Sequence, residues 1–561
     1  MTDPLSLPQD VMLLICQELA ACRDFVTLFR CSLVSHRVAI IALEQLYRID
    51  GDVPESFRDN KIPMARLWRS IILSSVGRTA YPYCTYIRAL SLGDLEESLE
   101  DARSNQDVRR FYLGPDMEKF IVPRFKDGMT DLLNARSVPI SIRPTMIRCA
   151  DAITKCIKDS AEDNEKAVAL AHLEGYFIPH DILPTWITRL GTLTSLRLRD
   201  GSVLSVETAN ALSKCCPKFS ELTCYYYQSG NADEDMALFL QTLRPNSLQR
   251  FEIISKNGIA QNTLAALNLH AESLKTLILG SLTPSAVKSL NVLPQCTKLE
   301  CLVIENDLHY QVPRRLDPNL MHEIAAWIGN CKSLRELTFR HVQDALGIVE
   351  EVITTPGIHL TSLVIQGFRS TSPTLSSAAW VALAKQRNLE GLTLESIAVE
   401  EDNPQMMDGL ILEFQPPLTE SICLLTNLTY LNLMQAHVSV EDIRQFSYAL
   451  PHLEDFAFGG ELRDDSVLEV LSTFPVLKAL SINASSMFTW ESLRTFALEL
   501  DSPGHKGFKM EVMAQLAEAK LSSEQEKWLD DYFIHTLGGR FSITYPLGLD
   551  EYHEGDFSDS D

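Results

Sequence analysis

Apolar residues recur along this chain with one spacing. In Glu272–Glu305 the run Leu274-x-x-Leu277-x-Leu279 is followed 25 residues on by Leu299-x-x-Leu302-x-Ile304, with an amphipathic helical stretch, SAVKSLNVL, between them. The last two apolar residues of each triplet are two apart, so they share one face of a strand. The first turns the chain in from the preceding helix. The triplet returns at Leu193/Leu196/Leu198, Leu248/Phe251/Ile253, Leu334/Leu337/Phe339 and Leu360/Leu363/Ile365. It continues at Leu389/Leu392/Leu394, Leu428/Leu431/Leu433, Leu453/Phe456/Phe458 and Leu477/Leu480/Ile482. With a weaker copy at Phe219/Leu222/Cys224 there are eleven, most of them about 26 residues apart. Two longer steps, of 35 and 39 residues, read as repeats with loop insertions. One strand-and-helix unit cannot bury its own apolar face, whereas stacked neighbours bury a shared core.

These triplets resemble the leucine-rich repeat over about residues 167–500. The resemblance implies an α/β solenoid with parallel strands on a concave face and helices outside. The family often places Asn or Cys eight residues after the first Leu. Here that place holds Gly201, Leu282, Asp307, Val342, Phe368 and Ala436, so a polar ladder is absent. Cys296 and Cys331, just before their strands, read as small buried residues.

The residue between the two buried positions of each strand, with its outer neighbours, should face the concave side and meet a target protein. The candidates are Arg197, Arg199, Tyr225 and Glu252 in the early repeats, then Glu305, Arg340 and Tyr430 further on. Ile254, Ile278, Val303 and Val364 make the middle of this surface apolar, as a contact patch would be. The same β-branched residues also simply suit strands.

Residues 5–48 read differently, with three short apolar helical stretches. Leu7-Pro8 precedes the first, and Pro8 belongs to its opening turn, where a missing N–H costs nothing. Val11, Leu14, Ile15 and Leu19 then fall on one helical face. A second stretch runs through Phe25, Leu28 and Phe29, and a third through Val38–Leu46. So small a core needs a partner or a neighbouring domain. Leu7, Pro8 and Asp10, with Leu33, Val34, Ser35 and Arg37 further on, resemble the F-box signature, although the Trp usual shortly afterwards is missing. That resemblance implies docking on a Skp-type adaptor, and through it on a cullin. The adaptor-facing residues would be Leu7, Pro8, Asp10, Val11, Leu14, Ile15, Leu19, Leu28, Leu33 and Val34.

The expected organisation is an F-box over 1–48 and the solenoid over 166–500. Between them, 49–165 holds a linker, a first repeat-like unit and a charge-rich insertion. In this block Leu67–Leu73 reads as helix and Ile87-x-x-Leu90-x-Leu92 as a strand, similar to a block found after the F-box in many fungal F-box proteins. The insertion from residue 94 should pack outside the array, which resumes at Val168-x-x-Ala171-x-Leu173. A capping unit is expected over 501–547: strand, helix with Ser522 or Ser523 as N-cap and Gly538 as C-cap, strand. The acidic tail, 548–561, should be disordered; Ser558 and Ser560 lie in it as possible acidophilic kinase targets.

Net charge is −24, which disfavours nucleic acid and anionic membrane as partners. No 18-residue apolar run and no signal peptide are evident. Thirteen cysteines without framework spacing read as reduced thiols, pointing to cytoplasm or nucleus. No metal-ligand spacing, phosphate-binding glycine loop or nucleophile elbow is present, so neither cofactor nor metal is expected and the chain should not be an enzyme. Together the resemblances imply the substrate-recognition subunit of a Skp–cullin–F-box ubiquitin ligase. The alternative is a leucine-rich-repeat scaffold outside any ligase. A repeat-type GTPase activator would need an exposed catalytic Arg, for which Arg197 and Arg199 qualify only by residue type.

Overall fold

The computed structural model describes residues 7–48, 61–112, 114–123, 140–163, 168–307, 316–368, 373–396, 412–413, 416–460, 465–484, 487–500, 503–514 and 520–545. They belong to two compact units, Met1–Leu274 and Lys275–Asp561. Most of the linker, the long-step insertions and the acidic tail with Ser558 and Ser560 lie outside the described residues.

The first unit opens with three helices: α1 (Gln9–Ala21), α2 (Phe25–Ser32) and α3 (His36–Tyr47). Pro8 is the N-cap of α1, and its carbonyl accepts from Met12 N. Arg23, at φ 56°, turns the chain between α1 and α2. Asp24 caps α2 by accepting from Thr27 N at 3.0 Å, and Ser35 caps α3 by accepting from Val38 N at 3.3 Å. Hydrogen bonding to Thr27 also holds the Asp24 carboxyl below the usual carboxylate range. Met12, Cys16, Phe25, Leu28, Ile41 and Ala42 form the core of this bundle, with Leu13, Leu19 and Val38 among the half-buried residues around it. Tyr47 joins α3 to the next helix, Lys61–Ser74, by a hydrogen bond to Ser70 (2.8 Å), and stacks on Tyr83. Burial pushes the Tyr47 phenol up to about 12.

Five parallel strands come next: β1 (Ala89–Ser91), β2 (His172–Gly175), β3 (Ser195–Asp200), β4 (Glu221–Tyr226) and β5 (Arg250–Ile253). One rung runs Leu90, Leu173, Leu196, Leu222, Phe251. This register corrects the expected phase of β2. Leu173 is the middle apolar position, not the last, so the triplet is Leu170/Leu173/Gly175. At Gly175, where a Leu is usual, the Ile178 side chain fills the space a Cβ would take. The insertion also departs from expectation. Its long helix Ile142–Glu162 buries Met146, Cys149, Ile153 and Ile157. Its first helix, Leu92–Ser104, does not simply pack outside: one face of it lines a cleft with side chains from the strands.

The second unit carries β6 (Thr276–Leu282), β7 (Cys301–Asn306), β8 (Glu336–Arg340), β9 (Ser362–Phe368) and β10 (Gly391–Ser396). A two-residue strand, β11 (Leu412–Glu413), precedes β12 (Tyr430–His437), β13 (Asp455–Gly460), β14 (Ala479–Ala484), β15 (Lys509–Ala514) and β16 (Arg540–Thr544). All pair parallel, and the rung Leu277, Leu302, Leu337, Leu363, Leu392, Leu431, Phe456, Leu480, Met510, Phe541 crosses the unit. Helices such as Pro318–Gly329, Ala345–Thr354 and Val440–Ala449 alternate with the strands. Every residue of the eleven triplets is buried. Each burial stabilises by roughly 1.5–3 kcal/mol, largely offset by chain entropy. Leu282, Val342, Phe368 and Ala436 are buried as well, so apolar packing replaces the missing polar ladder.

β15, a helix and β16 close the array. Ser522 is the N-cap of helix Ser523–Tyr532 and forms a reciprocal capping box with Gln525. The helix ends through a π-turn at Gly538, whose φ of 71° places it in the left-handed region that suits glycine. All thirteen cysteines are free thiols, and burial pushes Cys149, Cys224, Cys296 and Cys331 up to about 12. Cys331 Sγ donates to the Cys296 carbonyl at 3.4 Å, so both act as small core residues.

Candidate functional site

Two kinds of surface stand out, and the first is the helical bundle. Its core uses the Met12 and Cys16 face of α1, which leaves the neighbouring face, Val11, Leu14 and Ile15, exposed to solvent. Val26 and Phe29 on α2, Leu33 and Val34 in the α2–α3 turn, and Ile40 on α3 are exposed too. Among the described residues, nine of the twenty-one exposed large apolar side chains fall between Leu7 and Ile40. Isolated apolar residues on a surface are ordinary; this density marks a contact patch.

Leu7, Val11, Leu14, Ile15, Leu33 and Val34 are therefore where a partner could reach them, as are Pro8 and Asp10. Leu28 is not: it is fully buried between the helices and holds the bundle together. Leu19 is half-buried against the same core. Val26, Phe29 and Ile40 escaped sequence reading as contact residues. Their signal was a second apolar face on a helix too short to bury two.

The second kind of surface is the strand-lined face. In the first unit, register places Ser91, Glu174, Arg197, Thr223 and Glu252 in one row across β1–β5. Thr223 Oγ1 donates to Glu252 at 3.0 Å, and Arg250 pairs with the same carboxylate at 3.0 Å. Arg197, Arg199 and Tyr225 come together with Glu174, Tyr176 and Phe177 in a cleft of about 570 Å³. Burial raises the Tyr225 phenol, with Glu174 adding to the effect. Ile254, just after β5, is exposed.

In the second unit the corresponding row is Ile278, Val303, Thr338, Val364, Thr393, Asn432. The three aliphatic residues are half-buried, and Thr338 and Thr393 are buried because short side chains disappear between longer neighbours. Two residues further along each strand runs a polar ladder. Glu305 pairs with Arg340 (3.4 Å), Arg340 Nε donates to Gln366 (3.0 Å), and Gln366 Nε2 donates to Glu395 (3.0 Å). Glu305 and Arg340, predicted singly, thus act on each other. Tyr430 is exposed, and its hydroxyl accepts from Asn432 at 3.2 Å.

Among the described residues no group of three His, Cys, Asp or Glu side chains is placed to hold a metal ion, and no helix is long and apolar enough to cross a membrane.

In each unit, parallel strands alternate with helices around buried Leu triplets. That architecture defines a leucine-rich-repeat solenoid. No family model matches the chain, and no curated protein matches it. Among solved structures, it is similar to a leucine-rich-repeat protein of Leptospira interrogans at 14% identity and TM-score 0.33, over 71% of this chain and 92% of that one. It is also similar to a chain of the Rad7 and Elc1 complex in yeast (15% identity, TM-score 0.34, 59% and 83% of the two chains). A third similarity is to the TLR13–ssRNA13 complex, at 13% identity and TM-score 0.32, over 68% of this chain and 50% of that one.

Proposed function

We propose that the chain is the substrate-recognition subunit of a Skp–cullin–F-box type ubiquitin ligase, working in cytoplasm or nucleus. The observation that carries this reading is the exposed apolar surface of α1–α3, at the residues that resemble the F-box. So dense a cluster of exposed apolar side chains, Leu14, Leu33 and Val34 among them, supports a surface that another protein covers. The adaptor would cover them, and a cullin would join through the adaptor. The strand-lined faces would hold the target protein. The subunit itself carries out no chemistry and needs no cofactor. Its mechanism is positional: tethering raises the effective concentration of the target beside the conjugating enzyme.

Co-purification of a Skp-type adaptor with the full chain tests the reading. The unaltered chain should retain the adaptor, and Leu14→Glu with Leu33→Asp should release it. An intact chain that never retains the adaptor leaves the alternative, a repeat scaffold outside any ligase. For the target, Ile278→Asp with Val303→Asp should abolish capture and leave adaptor binding unchanged.

A further inference from the structure

The cleft on the first unit has walls of two different origins. One is helix Leu92–Ser104, which brings Asp94, Glu96, Glu97 and Glu100. The other is the strand-lined face, which brings Glu174, Arg197 and Arg199. The helix can approach because its second residue is Gly93: a Cβ there would collide with the Tyr176 ring. At about 570 Å³ the cleft lies within the ~300–1,000 Å³ range of pockets that enclose ligands.

Five carboxylates face two guanidinium groups, which leaves the lining three charges negative. Arg143 pairs with Glu96 at 3.6 Å and Arg103 with Glu100 at 3.2 Å, which leaves one negative charge in excess. The remainder still repels a phosphate or a carboxylate and attracts a cation. The N-terminus of the helix does not reverse this, because Ser91 Oγ already accepts from Asp94 N.

The rings decide which cation. Arg199 lies 4.8 Å from the Tyr176 centroid, and Arg143 lies 3.5 Å from that of Phe177. The chain's own guanidinium groups thus stack on two of the three aromatic walls, with carboxylates at hand. A guanidinium is planar, weakly hydrated and suited to both contacts, whereas a lysine ammonium is a compact, strongly hydrated charge.

We infer that this cleft binds an arginine-bearing basic segment of the target protein. The inference rests on the reading that the strand-lined face holds a protein, and it names the chemistry of what is held. Glu97, Glu100 and Glu174 supply the negative field, and Tyr225, the third aromatic wall, supplies the flat surface.

Fluorescence anisotropy of the full chain with labelled hexa-arginine, hexa-lysine and hexa-glutamate peptides tests this. Hexa-arginine should bind most tightly, and weaken as salt is raised. The exposed pair Glu97→Gln/Glu100→Gln should weaken it, and adding Glu174→Gln should bring the loss to about tenfold or more. Tyr225→Ala should weaken hexa-arginine more than hexa-lysine. Ser522→Ala, in the closing helix, should leave peptide binding as it was. No binding of hexa-arginine, equal binding by the carboxylate variants, or a preference for hexa-glutamate would each overturn the inference. Adaptor retention is measured separately. Hexa-arginine binding without adaptor retention sinks the ligase reading and spares the cleft, and the converse result does the opposite.

Discussion

The α1 stripe Val11, Leu14, Ile15 and the strand triplet Leu334, Leu337, Phe339 are equally regular in sequence, yet they end in opposite surroundings. Every member of the triplet is buried, while Leu14 is 64% exposed. The difference lies in what covers each face. A repeat strand is covered by the helix of its own repeat and by the strands on either side, one of them about 26 residues away in sequence. Helix α1 has only α2 and α3 to pack against, and they take the Met12 and Cys16 side. Periodicity therefore identifies an apolar face but not its cover. Where the chain supplies none, another molecule is the natural source.

Substitutions can break or sharpen this contrast. The largest effect should come from Phe456→Ala, which removes a fully buried ring packed against Phe446, Phe458 and Phe474. A loss of ~3–5 kcal/mol is expected in urea unfolding of the whole chain, and a midpoint that hardly moves would count against the buried rung. Leu28→Ala should cost ~2–5 kcal/mol and loosen the bundle, seen as faster amide exchange across α1–α3.

A pH effect comes next. His270 is fully buried; its Nε2 faces the Leu240 carbonyl at 3.3 Å, and Nδ1 accepts from Leu248 N at 3.5 Å. Burial holds it below the usual imidazole value of 6.5, despite the opposing pull of that carbonyl. Below that pH the unfolded chain takes up a proton that the folded chain refuses. Stability is thus fully present above 6.5 and lost as pH falls through the folded value. Melting curves between pH 7 and 5 should show the loss, and His270→Asn should flatten it.

Ser522→Ala breaks the capping box of the closing helix and should cost about 1 kcal/mol, confined to the C-terminal strands in amide exchange. The smallest change in stability is expected for Leu14→Ser, within about 0.5 kcal/mol, because water already surrounds that side chain. The same substitution should sharply reduce adaptor retention. A variant that loses stability instead would place Leu14 in the bundle's own core.

Much of the fold was legible because the repeat states its period eleven times, and because Ser522 or Ser523 and Gly538 mark a helix at both ends. What the period could not convey was chemistry without an apolar signal. Gly175 stands in place of a Leu, with Ile178 filling the space, so the phase of β2 could not be read from hydropathy. Glu97 and Glu100 look like an ordinary solvated helix face, and only the fold brings them to Tyr176 and Arg197. Arg197, Arg199 and Tyr225 were legible as surface residues from alternation alone. That Glu305 engages Arg340 depends on inter-strand register, which the repeat spacing already implies.

Within each unit every repeat strand joins only the repeats immediately before and after it, so native partners meet soon after they leave the ribosome. A nascent chain can then add one rung at a time, never waiting for a distant end to arrive. By the same token, a rung removed or repeated leaves neighbours that can still close up on one another, so the length of such an array can change without the whole being rebuilt.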